Sequence, residues 1–299
     1  MFGGMIQKEA KKLQALLLVF AVYLFFATSS EAAEVIVIGD TQLAPVVNII
    51  SGIREQLDSP VKIYSPADIK GRLQDIAARE NSKVVIALGK EAIRDALLLP
   101  PSYTVIYDLV VTPPSISRPN TTGFYMAIPV KEYVSITRKY LPSVKRLAVI
   151  GSPALMRTLE GTDDAHVELF KVKSSFELVE TLKRLDSADA VLLLPDVTLL
   201  TTSVMEEIYL FSFRRGIPIL GISEKNVRQG ALLALVFDPV SVGRHIAENA
   251  TNAIKGMDVG RIPPSPPQKF ELYLNTDTAK KMGILISAEL IRKAAKVYP

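Results

Sequence analysis

Short apolar runs recur along the chain, each closed by glycine, proline or aspartate, and they constrain its fold more than any other feature. These runs cover residues 35–38, 84–88, 147–150, 190–194 and 217–220. Because polar residues do not alternate within them, they predict strands covered on both faces, as in a parallel sheet between helices. Stretches with helical spacing separate the runs, and this alternation predicts an α/β chain.

The stretches between the runs carry helix signals. One predicted helix face combines apolar residues three and four positions apart, namely Leu43, Val46, Val47, Ile50, Ile53 and Leu57. Gly216 and Pro218 follow two arginines and predict a helix end, since glycine accepts the left-handed cap and proline stops the helix. Further helices are expected over residues 130–140 and 240–256, the second with a small-residue packing face that includes Gly243.

The strand–helix pattern runs twice, first over residues 35–111 and again over residues 145–238. Two similar open sheets in tandem predict two lobes with a cleft between their strand ends. Open parallel sheets bind ligands beyond the carboxyl ends of their strands, so this cleft is the expected small-molecule site. The proline-rich residues 263–267 predict a stiff, extended connector that crosses between the lobes.

Residues 1–32 have the layout of a secretory signal peptide. Three lysines precede an apolar run over residues 15–27, and small and polar residues follow it. The run is shorter than the ~20 residues of a comfortable membrane span, and we expect cleavage after Ala32. An uncleaved membrane anchor is the alternative. With cleavage, residues 33–299 form a soluble periplasmic protein.

The chain has no cysteine among its 299 residues. This excludes disulfides, thiol catalysis and thiolate metal sites. It also leaves no cysteine for lipid attachment, so we do not expect a lipoprotein. The formal net charge of +4 is mild and scattered along the chain, and we therefore expect no nucleic-acid partner.

The sequence contains few of the residues and loops that catalytic motifs require. The two histidines, His166 and His245, are too few for a histidine-based triad or metal cluster, and the chain has neither a glycine-rich dinucleotide loop nor a nucleophile elbow. Asp163 and Asp164 beside His166 could suggest a metal, but without further ligands a polar loop explains them more simply. The sequence therefore predicts a protein that is not an enzyme and that has neither a cofactor nor a metal.

The candidate ligand contacts lie at or near the predicted strand ends. They are Asp40, Gly89, Tyr107, Asp108, Tyr125, Ser152, Asp196, Ser223 and Asp238. Helix capping is the alternative role for the aspartates and serines, because these side chains cap helices routinely. Tyr107 and Tyr125 lie near the expected cleft and could stack on an apolar ligand.

An ordered set of short motifs covers nearly the whole chain after residue 32. It comprises residues 52–57, 87–92, 120–123, 141–146, 196–198, 216–221, 227–232, 243–244, 254–256, 261–263 and 274–284. No single motif is decisive, and their order is what counts. The set resembles the ABC-importer substrate-binding family whose better-known members take tryptophan or tyrosine, and the resemblance is most specific after Pro195.

The resemblance implies a periplasmic-binding-protein fold of type I. This is an α/β architecture of two Rossmann-like, doubly wound parallel-sheet lobes joined by a multi-strand hinge with three crossings. It divides the chain into an N-terminal lobe, residues 33–127 plus about 239–268, and a C-terminal lobe, residues 128–238 plus about 269–299.

The resemblance also implies a set of ligand contacts. Thr122 and Gly123 of the N-terminal lobe and Asp196 and Thr198 of the C-terminal lobe would hold the ligand. A carboxylate suits an ammonium group, and hydroxyl and backbone N–H donors suit a carboxylate. Val197 stands where relatives often have asparagine, so the identity of the ligand does not carry over.

The function implied by the resemblance is that of an extracytoplasmic solute-binding protein of an ABC importer. It would close on an amino acid or similar small solute, with half of the contacts on each lobe, and deliver it to a membrane permease. We expect a monomer. A periplasmic sensor subunit for a receptor and an enzyme on the same scaffold are the alternatives, whereas the N-terminal segment disfavours a cytoplasmic repressor.

Overall fold

The computed structural model describes residues 34–115, 118–126, 130–157, 159, 164–196 and 198–299. The predicted signal peptide, residues 1–32, lies outside the described residues, and so do Asp163 and Val197. Within the described ranges, no helix combines the length and the apolar character needed to cross a membrane.

The first sheet contains only parallel strands. Its spatial order is β2-β1-β3-β4-β5, and every neighbouring pair is parallel. Its strands are β1 (Val35–Ile38), β2 (Val61–Tyr64), β3 (Val84–Leu88), β4 (Thr104–Asp108) and β5 (Thr121–Gly123). Every residue of β1 and β3 is buried, as their uninterrupted apolar sequences predict for strands covered on both faces.

The second sheet has the order β12-β11-β10-β9-β8-β6-β7. Its strands are β6 (Leu147–Gly151), β7 (Val167–Lys171), β8 (Ala190–Leu193), β9 (Ile219–Gly221), β10 (Leu233–Phe237), β11 (Phe270–Asn275) and β12 (Lys296–Tyr298). Strand β11 pairs antiparallel with β10, and the other pairs are parallel. The prediction of two mainly parallel sheets is therefore confirmed, with one antiparallel addition.

Helices cover the faces of both sheets, as expected for parallel strands joined by helical crossovers. They are α1 (Ala44–Gln56), α2 (Pro66–Ile69), α3 (Leu73–Arg79), α4 (Lys90–Ala96), α5 (Val130–Tyr140), α6 (Pro153–Arg157), α7 (Ser175–Lys183), α8 (Thr202–Arg215), α9 (Glu224–Gln229), α10 (Pro239–Ile254), α11 (Thr276–Lys281) and α12 (Ala288–Lys293). A short 3-10 helix spans Val259–Arg261. Gly216 ends α8 in the left-handed conformation, with φ of 66°, as predicted.

Helix α10 follows a strand of the second sheet but packs in the first lobe. Its residues Val242, Ile246, Ala247 and Ala250 belong to the buried cluster that includes β1 and α1. The face of α1 that meets α10 is therefore centred on Ile49 and Ile53, both fully buried. Leu43 and Val47, which the spacing groups with the other apolar residues on one helix face, are 53% and 46% exposed, so only part of that face is buried.

The chain crosses between the lobes three times. It leaves the first lobe after β5, returns from β10 to α10, and leaves again before β11. Ser265 forms a parallel bridge with Phe124, and its N–H donates to the Gly123 carbonyl at 3.2 Å. The Asp238 N–H donates to the Lys269 carbonyl at 3.4 Å. The crossings are thus hydrogen-bonded to one another, and they form the multi-strand hinge that the resemblance implies.

Candidate functional site

The first lobe has a cavity of about 350 Å³ at the carboxyl ends of β1 to β4. We call it the first-lobe cavity. Its walls include Asp40, Leu43, Pro66, Leu88, Gly89 and Leu109. Among the described residues that line it, none is aromatic. The cavity therefore offers an aliphatic surface with charged groups at its rim, Asp40 among them.

Two predicted contacts, Asp40 and Gly89, line the first-lobe cavity. The exposed Asp40 carboxylate accepts the Gln42 N–H at 3.0 Å in the turn before α1. Gly89 has φ of 92°, a conformation that favours glycine, and its N–H donates to the Asp108 carbonyl at 2.9 Å. Both could be predicted from the sequence because they lie within two residues of the carboxyl ends of β1 and β3.

The second lobe has a cavity of about 210 Å³ at the carboxyl ends of β8 and β9, here called the second-lobe cavity. Its walls include Pro195, Asp196, Ile222, Ser223, Lys225 and Asn226. Asp196 and Ser223 were predicted from the sequence. Lys225 and Asn226 were not, because they lie within the first turn of α9 rather than at the strand end.

Asp196 accepts several hydrogen bonds in the second-lobe cavity. Its Oδ1 accepts the Thr198 N–H at 3.0 Å and the Thr198 hydroxyl at 2.6 Å. Partial burial acts to raise the pKa of Asp196, but hydrogen bonds from Ser152, Thr198 and the Leu199 N–H outweigh it and hold the pKa below its ordinary value. The structure thus joins Ser152, Asp196 and Thr198, three predicted contacts, around one ionised carboxylate.

Ser223 and Asn226 shape the other wall of the second-lobe cavity. The Ser223 hydroxyl caps α9 by accepting the Asn226 N–H at 3.2 Å, and it donates to Asn226 Oδ1 at 2.8 Å. Asn226 Oδ1 also accepts the Ile222 N–H at 3.1 Å. Gly221 leaves room for this arrangement, since a β-carbon there would collide with the Asn226 side chain. Ser223 therefore has the capping role that was its alternative, while also lining the cavity.

Two predicted contacts, Tyr107 and Asp108, are buried at the end of β4. Tyr107 is 3% exposed within the first-lobe core, and burial raises its pKa to about 12. Asp108 is 2% exposed, and burial raises its pKa to about 7, although the Leu109 N–H partly offsets this. Neither side chain is open to solvent as a direct ligand contact would require.

Four further predicted contacts lie at the crossings. The buried Thr122 hydroxyl donates to the Ile262 carbonyl at 2.8 Å, and Asp238 caps α10 by accepting the Val240 N–H at 3.0 Å. Gly123 packs so tightly that a β-carbon would lie 2.5 Å from the Tyr107 ring. Tyr125 is half-buried, and its N–H donates to the Ser265 carbonyl at 3.2 Å. Each of the four thus has a structural contact at the hinge.

The histidine-containing groups serve as structural contacts. Asp164 accepts from Arg138 at 2.7 Å and lies 3.1 Å from His166 Nδ1. His245 stacks on Phe124, with 6.4 Å between ring centroids. Across the described residues, no three histidine, aspartate or glutamate side chains are grouped so that they could hold a metal ion.

Both cavities lie at the edges of the sheets from which crossings depart. The first-lobe cavity lies at the carboxyl ends of β1 to β4, and β5 enters the hinge from that same edge. The second-lobe cavity lies at the carboxyl ends of β8 and β9, and the parallel strand β10 enters the hinge from that edge. The two cavities therefore flank the hinge.

Solved structures share this fold. A conserved domain protein from Vibrio cholerae is 18% identical, covers 89% of this chain and 99% of its own, and has a TM-score of 0.61. An ABC domain from Streptococcus pneumonia in complex with L-Trp has the same identity and coverage, with a TM-score of 0.60. A ligand-free, open substrate-binding protein from Clostridium difficile, 12% identical with the same coverage, has a TM-score of 0.66. These likenesses establish the fold.

Sequence comparison identifies the family. A tyrosine-binding protein of Clostridioides difficile (strain R20291) is 24% identical over 192 residues, which are 60% of this chain. The match spans about half of that relative, 55% of its length. The family model described as ABC transporter substrate binding protein matches residues 105–298, well over half of the chain. The chain belongs to the ABC transporter substrate-binding protein family.

Proposed function

We propose that this chain is the extracytoplasmic solute-binding subunit of an ABC importer, and that it captures a small solute between its lobes. The observation that carries the proposal is the pair of cavities flanking the hinge. Membership of the substrate-binding family supports the same role.

Capture occurs by closure of the two lobes. A solute that contacts both cavities binds the closed form more tightly than the open form, and it shifts the equilibrium by that difference in affinity. Asp196 supplies an ionised acceptor, with Ser152 and Thr198 holding it in place. Leu43, from the first lobe, supplies exposed aliphatic surface.

The solute class that fits these groups is an amino acid or a similar small molecule with an apolar part. An ammonium group suits the Asp196 carboxylate, and an apolar part suits the aliphatic wall of the first-lobe cavity. The names of a tyrosine-binding relative and of a structure with bound L-Trp agree with this class. Thr122, Gly123, Tyr125, Tyr107, Asp108 and Asp238 act from the hinge and the core rather than from the cavity walls.

The wider role follows from the family. We propose that a membrane permease receives the solute, and that the protein works as a periplasmic monomer without nucleic acid, cofactor or catalysis. Export would use residues 1–32 as a cleaved signal peptide, without lipid attachment. The two lobes comprise residues 33–127 plus about 239–268 and residues 128–238 plus about 269–299.

Native mass spectrometry of gently purified protein tests the proposal, because a co-purified solute adds its own mass. A thermal-shift panel of amino acids, sugars and other small solutes follows. A solute at a hundred times its Kd stabilises the protein by about 2.7 kcal/mol. A protein that carries no solute and is stabilised by no member of the panel would contradict the proposed function.

A further inference from the structure

Two opposite charges line the second-lobe cavity without pairing. Asp196 follows β8, and Lys225 lies on α9, which follows β9. Neither side chain forms an ion pair with any residue that the structure describes. Glu224, next to Lys225 in the chain, pairs instead with Lys296 at 3.1 Å. The cavity is therefore suited to a solute that carries both a positive and a negative group.

The Asn226 amide adds a donor whose orientation is fixed. Its Oδ1 accepts the Ile222 N–H at 3.1 Å and the Ser223 hydroxyl at 2.8 Å. Because the Ile222 N–H is a donor, the atom that faces it is the amide oxygen, and the NH₂ group is turned away from it. Asn226 lines the cavity, and its Nδ2 has no hydrogen-bond partner within the described ranges. Nδ2 is therefore a positioned donor for an acceptor inside the cavity.

The hydroxyl that the resemblance assigns to a solute carboxylate is already used. Thr122 is 1% exposed, and its hydroxyl donates to the Ile262 carbonyl at 2.8 Å. Asn226 and Lys225 offer N–H donors from the second-lobe cavity instead. Charged or well-oriented N–H groups are the donors that a carboxylate accepts most strongly. The carboxylate of an amino acid thus finds its donors on the same lobe as the acceptor of its ammonium group.

The size of the second-lobe cavity suits the charged end of an amino acid. Its volume of about 210 Å³ is below the roughly 300–1,000 Å³ of most small-molecule pockets. The cavity accommodates an ammonium group and a carboxylate on neighbouring carbons. An apolar side chain is left to the first-lobe cavity, which offers an aliphatic surface.

We propose that Asn226 and Lys225 determine specificity by binding the carboxylate of the solute while Asp196 binds its ammonium group, so that the solute is a zwitterionic α-amino acid. The inference deepens the proposed function and rests on it. Asn226 supplies a directed hydrogen bond from a half-buried amide, and Lys225 supplies charge from an exposed and flexible side chain. Because exposed charges are screened by solvent, Asn226 contributes more to affinity than Lys225 does.

Isothermal titration calorimetry tests the role of the carboxylate by comparing each amino acid with the amine that lacks it. The pairs are L-tyrosine with tyramine and L-leucine with 3-methylbutylamine, and any other amino acid that the thermal-shift panel identifies is paired in the same way. We expect the wild-type protein to bind the amino acid at least about tenfold more tightly than the amine, as loss of a hydrogen bond to a charged group implies.

Asn226→Asp isolates the NH₂ group. The variant keeps Oδ1 for the Ile222 N–H and the Ser223 hydroxyl, and it replaces only the NH₂ donor by an anionic acceptor. Binding of the amino acid should weaken at least about tenfold, because a carboxylate repels the solute carboxylate. Affinity for the amine should stay the same or rise, so the preference for the amino acid should be lost. A merely structural role of Asn226 would lower both affinities alike.

Lys225→Gln should weaken binding of the amino acid about twofold to fivefold, and the loss should shrink at high salt, since an exposed charge is screened. Lys280→Gln, an exposed change on α11 of the same lobe and outside the cavity walls, should bind as wild type. These two variants and the wild-type comparison stand as tests even if Asn226→Asp fails to fold.

Three outcomes would overturn this specificity while leaving solute capture intact. They are equal or tighter binding of the amine by the wild-type protein, a preference for the amino acid that persists in Asn226→Asp, and capture of a solute that lacks an ammonium group or a carboxylate. By contrast, if no probe binds and native mass spectrometry finds no carried solute, the proposed function fails as well.

Discussion

Gly243 of α10 lies directly against Gly52 of α1. A β-carbon on Gly243 would stand 3.0 Å from the Gly52 Cα, and one on Gly52 would stand 3.1 Å from the Gly243 Cα. The Gly243 β-carbon would also collide with the Ile49 carbonyl oxygen. Two helices distant in sequence therefore meet backbone to backbone at these two glycines. This contact fixes the segment returning from β10 onto the first lobe.

Gly243→Ala should lower the free energy of unfolding by about 1–3 kcal/mol, because the added carbon forces α10 away from α1. Urea unfolding followed by circular dichroism measures the change. Ser51→Ala, an exposed substitution next to Gly52, should change the free energy of unfolding by less than about 0.5 kcal/mol. Equal stability of Gly243→Ala and the wild-type protein would show that the two helices are not in contact.

Asp108 should make the stability of the protein depend on pH. Its pKa of about 7 in the folded protein lies above the ordinary value of 3.8. The folded state therefore holds a proton that the unfolded chain releases between these values. Its contribution to stability is complete below pH 3.8 and is lost as the pH rises to about 7.

Asp108→Asn should remove this dependence and make the protein more stable than wild type at pH 8, by at most about 4 kcal/mol. Chemical unfolding at intervals between pH 5 and pH 8 measures the difference. A difference between the two proteins that stays constant over this range would contradict a raised pKa for Asp108.

Much of the fold could be predicted from local sequence patterns. Strands β1 and β3 are uninterrupted apolar runs, and α5 spans Val130–Tyr140 as predicted. The local patterns do not show which helices and strands pack against one another. The buried face of α1 is centred on Ile49 because α10 packs there. No local pattern encodes a contact with a helix almost two hundred residues later.

Edge strands were also missed. Strand β7 is exposed or half-buried along its whole length, with sequence VELFK, so it lacks the uninterrupted apolar character of a central strand. Strand β11, which lies inside the sheet between β10 and β12, was missed as well, and it pairs antiparallel with β10. Its direction depends on the third crossing of the hinge rather than on its own residues.

The candidate site was found in part. Asp196, Ser223, Asp40 and Gly89 line cavities because ligands of open sheets bind past the strand ends. The burial of Tyr107 and Asp108 was not foreseen, because the sequence places a residue at a strand end without showing what covers it. Leu109 was missed because nothing in its residue type signals its positive φ of 59°.

Tyr133 should be a main support of the second lobe. Its fully buried hydroxyl donates to the Gly221 carbonyl at 2.7 Å and accepts the Leu235 N–H at 3.2 Å. Tyr133→Phe should cost about 1–3 kcal/mol of unfolding free energy, because buried backbone groups lose a partner. Thermal and urea unfolding measure it, with Tyr140→Phe as the control, since that hydroxyl meets the exposed Glu289. A smaller loss for Tyr133→Phe than for the control would contradict this role.

Asp196→Asn should weaken solute binding at least tenfold, because the neutral amide no longer pairs with a positive charge and its NH₂ group cannot replace the carboxylate acceptors. Calorimetry with the solute identified by mass spectrometry measures the loss. Asp186→Asn, at a carboxylate whose side chain is 82% exposed, should bind as wild type. Unchanged affinity in Asp196→Asn would remove Asp196 from the site.

The distance between the two lobes, with and without solute, tests capture by closure most directly. The chain has no cysteine, so Thr41→Cys beside the first-lobe cavity and Arg228→Cys beside the second-lobe cavity accept spin labels selectively at two exposed positions. Pulsed electron paramagnetic resonance should show a shorter distance between the labels when solute is added, and no shortening when Asp196→Asn is also present. A distance distribution that stays the same at saturating solute would contradict closure around a ligand.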